Sequence, residues 1–140
     1  MELLIDLVIS FLIVMILDII WLGLIMNNYY SNLIANIQGV EINANFFAAG
    51  LCYATLIFGL NYFVLSKTKK YDLLNILSLS VPYGLVTYGT YDFTSAAVLK
   101  NFDLITAFID VTWGMLLMSL AAIGTVYSRR YFDIIKKEKH

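Results

Sequence analysis

The sequence predicts an all-α integral membrane protein: a bundle of four transmembrane helices with both termini cytoplasmic. Three observations predict it. The 140-residue chain is 61% hydrophobic and only 14% charged, against roughly 25% charged residues in soluble domains. Four apolar runs each approach the roughly 20 residues that cross a bilayer. The basic residues fall almost entirely on one side of those runs.

The first run covers about 3–26. Its flank carries Glu2 and Asp6 and no Lys or Arg, and the run exceeds the apolar length of a secretory signal, so it is expected to be a retained helix. The loop that follows, 27–45, sets Tyr30, Leu33, Ile34 and Ile37 at helical spacing, with Gly39 as a stop signal. A short amphipathic helix on the outer surface and a plain Asn-rich loop both fit. The second run covers about 46–65. The third, about 73–91, is interrupted by Pro82, Gly84 and Gly89, which membrane helices tolerate when neighbours satisfy the freed carbonyls. Ser80 and Gly84 give it a small-residue face for close packing. Asn61, near the inner end of the second run, reads as an interhelical hydrogen bond, and Asp6 as an interfacial residue. The fourth run covers about 104–127, and a basic tail, 128–140, extends it into the interface, where its cations meet anionic head groups. One domain, 1–140, accounts for the chain.

Four spans place Lys67, Lys69, Lys70, Arg129, Arg130, Lys136, Lys137 and Lys139 on one side and Lys100 alone on the other. The positive-inside rule makes the rich side cytoplasmic. Three spans would put the basic loop and the basic tail on opposite sides.

Composition also excludes. One cysteine, Cys52, makes no intrachain disulfide, and one histidine, His140, gives no His-ligated metal site. There is no nucleophile–base pair and no glycine-rich phosphate loop. No cofactor, metal or catalytic residue is therefore expected, an enzyme is the less favoured class, and nothing points to nucleic acid. The partners expected are the lipid bilayer, a second copy of the chain, and a small solute or cation.

Two segments carry candidate chemistry. "LDIIWLGLIM" starts at Leu17, and "IDVTWGMLLM" starts 92 residues later at Ile109. Each sets an Asp three residues before a Trp: Asp18 with Trp21, Asp110 with Trp113. The first span runs outward and the fourth inward, so both acids lie roughly 9–12 Å below the outer ends of their helices. Ten residues of similarity do not make an internal repeat, since a two-helix duplication would match the first span to the third. Tyr53, Tyr88 and Thr106 share the depth of the acids. A carboxylate at depth costs roughly 2.5–3.5 kcal/mol, so it normally faces the bundle interior and has a partner. Yet no Lys or Arg lies within any span. Three explanations stay open: hydrogen bonds from Trp, Tyr and Thr; protonation; or a bound cation. The stretch "YGTYDFTSAAVLKNFD", 88–103, is expected to turn the chain into the fourth span. Asp92 there caps a short helix with Thr94 or Ser95, or joins Thr94 and Lys100 at the mouth of a polar pocket.

"LDIIWLG", "TYDFTSAAVLK" and "DVTWG", in this order and spacing, make the chain resemble the small predicted membrane proteins of domain of unknown function 2177. This chain has Ser95 where the family pattern has Asn, and Phe102-Asp103 where it has Trp-Pro. The resemblance implies a four-helix integral membrane protein and no activity. Two functional classes follow from the residues. In one, Asp18, Trp21, Tyr53, Tyr88, Asp92, Asp110 and Trp113 line a site for a small solute, cation or proton. In the other, the same residues only fix helix packing, and the protein is structural or binds a partner.

Overall fold

The computed structural model describes residues 2–68 and 71–138, and side chains within 3–68 and 71–132. Lys69, Lys70, Lys139 and His140 lie outside the described residues, as do the side chains of Lys136 and Lys137. Every described element is helical. α1 (Glu2–Ile20) continues as a π-helical turn, Trp21–Ile25; α2 is Asn27–Gln38; α3 (Phe46–Gly59) continues as a π-helical segment, Leu60–Leu65; α4 is Leu73–Val98; α5 is Leu104–Glu138. Three stretches are long and apolar enough to cross a membrane: Leu3–Ile25, Phe46–Leu65 and Leu104–Phe132. α4, at 26 residues, spans about 39 Å but is not one of the three. Asn75, three serines and its tyrosines and threonines dilute its apolar content.

α1 shows why a very apolar helix carries acids. Leu4, Val8, Leu12, Ile16 and Ile19 point outward, forming a stripe at helical spacing. The opposite stripe, Asp6, Ser10, Val14 and Asp18, is buried. Both stripes follow the 3.6-residue period, with the apolar one turned away from the protein. In lipid this arrangement is stable, because apolar side chains outside cost nothing and polar ones must find partners within.

The apolar core fills the half that holds the start of α1 and the later part of α5. Leu60, Val64 and Leu65 of α3, Ile76 of α4, and Leu117, Met118, Ala121 and Ala122 of α5 pack with Val14 of α1. Asn61 reinforces it, donating to Ser10 Oγ at 3.0 Å as the sequence led us to expect. α4 lies along α5, α1 packs on α5 and α3, and the π-helical end of α3 meets α4. The outer half of α3, residues 46–52, is exposed.

Helix ends obey local chemistry. Asn45 caps α3 by accepting from Ala48 N at 3.1 Å, and Asp72 caps α4 through Leu74 N at 3.1 Å. Asp103 accepts from Thr106 N at 2.7 Å at the start of α5. This bond holds the Asp103 carboxyl below the usual carboxylate range. Gly39 ends α2 with φ +76°, a left-handed conformation that favours glycine. Tyr30, Leu33, Ile34 and Ile37 are all half-buried, so the amphipathic alternative for this loop is the one the structure adopts.

The stretch from Tyr88 corrects the sequence reading. Only its last five residues turn the chain. α4 runs unbroken through Pro82 to Val98, and the turn comes at residues 99–103, where Asn101 takes φ +69°. Asp92 is therefore no cap. It lies within the helix with no exposed surface, while Thr94, two residues beyond on another face, is exposed.

Gly84 marks the closest approach of α4 and α5. A Cβ there would stand 2.6 Å from both the Gly114 carbonyl oxygen and Met115 Cα. Gly84→Ala must push the helices apart and is expected to cost about 1–3 kcal/mol. Gly89→Ala is its control, since that Cβ would meet nothing nearer than Phe93 at 3.4 Å. Thermal unfolding in detergent compares the two, and equal stability would refute the close approach.

Candidate functional site

The half of the molecule away from the chain termini, the outer half of the sequence reading, gathers polar groups from every helix. On α1, Asp18 is 5% exposed. Trp113 of α5 donates its indole N–H to Asp18 Oδ1 at 2.9 Å, and Tyr53 of α3 donates its hydroxyl to Oδ2 at 3.0 Å. The two Asp/Trp motifs thus interlock: the Trp of the second motif serves the Asp of the first. The indoles themselves stack, with centroids 4.5 Å apart and planes 6° from parallel.

The exchange is not reciprocal. Trp21 begins the π-helical turn of α1, where wider winding shifts side chains off the α-helical register. Its indole N–H is buried and makes no hydrogen bond of normal geometry. Asp110 is served instead by α2, whose Tyr30 hydroxyl donates to Oδ1 at 2.8 Å. The neighbouring Tyr29 bonds the Thr106 hydroxyl at 2.5 Å, and Asn101 Nδ2 reaches Asn36 O at 3.3 Å. Together these bonds hold α2 against the outer end of α5. Tyr30 entered the sequence reading only as a member of an apolar face; its hydroxyl role had no signal beyond its place in a helix above the acids.

Asp92 of α4 lies beside Asp110, carboxyl to carboxyl. It is fully buried, and neither of its oxygens has a hydrogen bond of normal geometry. Tyr88, one turn before it, lies near both Asp18 and Asp110. Asp18 and Asp110 open into one groove of about 290 Å³, lined also by Leu22, Tyr53, Leu56, Tyr88 and Tyr91. No described basic side chain pairs with the three acids. The ion pair found among the described residues is at the opposite end, Arg129 with Asp6.

Seven of the residues singled out in the sequence therefore converge: Asp18, Trp21, Tyr53, Tyr88, Asp92, Asp110 and Trp113. The two assigned to the mouth do not. Thr94 and Lys100 are exposed and line no part of the groove. The reason is the continuation of α4 to Val98, which carries both away from the acids. The opening is instead lateral, beside Ala49 and Cys52 of α3 and Tyr91 of α4. Among the described residues, no group of three or more His, Cys, Asp or Glu is arranged to hold a metal ion.

Comparison with known proteins places the chain in a family. A family model described as a predicted membrane protein (DUF2177) matches residues 3–127, and the chain belongs to that family. No curated protein and no solved structure matches it.

Proposed function

We propose that this member of the DUF2177 family crosses the membrane four times, with both termini in the cytoplasm, and binds a small solute, cation or proton through the acids of its outer half. The fourth crossing is α4, whose length suits a span and whose buried Ser80 and Asp92 face α5. The ion pair between Asp6 and Arg129 supports an even number of spans, since it joins the first and last helices at one end.

Asp92 carries the reading. A fully buried carboxyl whose polar contact is a second carboxyl, with a third acid in the same groove, needs a proton or other positive charge that no described basic side chain supplies. A proton, a cation or a cationic solute supplies it, and movement of that charge across the bilayer would make the protein a small transporter. Asp18 favours the second reading, a packing role, because Trp113 and Tyr53 already satisfy both of its oxygens. Asp92 favours binding, because its carboxyl meets another acid and no described basic side chain.

The test uses purified protein in detergent, with thermal unfolding followed across pH and a panel of cations. A ligand stabilises in proportion to the logarithm of its occupancy. Wild type is expected to gain stability with one of these ligands, Asp110→Asn to lose the gain, and Asp18→Asn to lose basal stability. If no condition moves the wild type, or if Asp110→Asn responds as wild type does, the binding reading is wrong and the packing reading takes its place.

A further inference from the structure

The groove has features that narrow the ligand class. It opens sideways, between the outer halves of α3 and α4. α3 meets α4 through its π-helical end, while its outer residues, 46–52, stand exposed. Two acids, Asp18 and Asp110, lie at the base, and Leu22, Ala49 and Leu56 form apolar walls. The rings of Tyr53, Tyr88 and Tyr91 line it too, with Cys52 and Thr87.

A monatomic cation fits this arrangement poorly. Hard cations want six or more oxygen ligands, and no cluster of three acidic or metal-ligating side chains is set for one among the described residues. It would also leave most of the apolar wall unfilled. A proton alone needs no cavity of about 290 Å³. That volume lies at the small end of ligand pockets, whose lining is mostly apolar with a few placed polar groups. Aromatic faces beside carboxylates attract organic cations.

We infer that the lateral groove between α3 and α4 takes a protonated amine with a compact apolar body, which enters from the bilayer side and sets its ammonium between Asp18 and Asp110. The inference rests on the binding reading above and adds the ligand class and the route. Each oxygen of Asp18 already accepts one bond, from Trp113 or Tyr53, and keeps a lone pair. At Asp110, Tyr30 occupies Oδ1. An ammonium N–H therefore finds lone pairs on both acids, on Asp110 beside the contacts from Tyr30 and Asp92. Asp92, behind Asp110 on α4, adds negative potential without touching the ligand. The titratable groups facing the ammonium are Asp18 from α1, Tyr30 from α2, Cys52 and Tyr53 from α3, Tyr88 and Asp92 from α4, and Asp110 from α5.

The experiment measures thermal shift and direct binding of purified wild type with benzylamine, its uncharged counterpart benzyl alcohol, and potassium and magnesium chloride. Two variants accompany it. Asp110→Asn removes the charge. Ala49→Trp fills the groove from an exposed position on α3, where it leaves the fold intact. Benzylamine is expected to stabilise wild type saturably and benzyl alcohol not to, with affinity falling about tenfold or more in each variant. If an inorganic cation or a proton stabilises through Asp110 and benzylamine does not, the binding reading stands and this inference falls. If benzyl alcohol matches benzylamine, the groove is only greasy, and the inference falls. If Ala49→Trp leaves amine affinity unchanged, the lateral route is wrong. If it instead dissociates an oligomer, the face belongs to a second copy, and the inference falls.

Discussion

Arg129→Ala is expected to destabilise the protein by about 3 kcal/mol, the low end for breaking a buried ion pair. The Arg129 guanidinium grips Asp6 through both sides of its fork, Nε to Oδ1 at 2.6 Å and the terminal nitrogen to Oδ2 at 2.5 Å. Asp6 is 4% exposed, so removal of the cation strands a carboxylate among Leu3, Asn61 and Leu65, which share its small inner pocket. Arg129 itself keeps 27% of its side chain exposed, which lets water reach the site and holds the cost at the lower bound. The reverse change, Asp6→Asn, frees an arginine that can reach the interface and is expected to cost less. Replacing both residues with leucine is expected to recover most of the loss, because the desolvation of both charges disappears together with their attraction. Chemical or thermal unfolding of the four proteins gives the coupling directly. If Arg129→Ala stays within about 0.5 kcal/mol of wild type, the pair is a surface contact and does not join α1 to α5.

That pair also shows where the sequence stops being legible. Its partners lie 123 residues apart, and each has a bland local explanation: an acid near a helix end, an arginine in a basic tail. No periodicity links them. Asp18 and Asp110 are different. An ionisable residue deep in an apolar run is visible from one sequence, and helix geometry gives its depth, so the convergence of the two was readable. Which indole serves which acid was not, because that depends on a π-helical turn at Trp21 that no residue pattern announces. Asp92 was misplaced for a physical reason of the same kind. Pro82, Gly84 and Gly89 carry weak helix propensity, yet packing of α4 along α5 overrides propensity and keeps one helix to Val98. Once that helix is continuous, Asp92 turns inward with Gly84 and Ser95.

Asp92→Asn is expected to stabilise the protein while removing whatever response it has to protons or cations. Native proteins rarely leave a buried polar atom unpartnered, and the penalty for doing so is about 1–3 kcal/mol, more for a charge. Neither oxygen of Asp92 has a hydrogen bond of normal geometry, and the polar group its carboxyl meets is another acid, Asp110. An asparagine fits the same volume, carries no charge and offers an N–H to the adjacent Asp110, so repulsion becomes a hydrogen bond. A gain of about 1–3 kcal/mol in unfolding free energy follows. Asp92→Leu, which keeps bulk and removes all polarity, is expected to gain as well, though less, because Asp110 then keeps only its Tyr30 bond. A residue whose removal stabilises the fold is held there by something other than folding, which is the usual signature of a site that trades stability for function. The sign of the change decides the matter. Loss of more than about 1 kcal/mol in both variants would mean that Asp92 has a structural partner and that the acids pack helices together. A gain in both, with the ligand response gone, assigns the strain at Asp92 to binding.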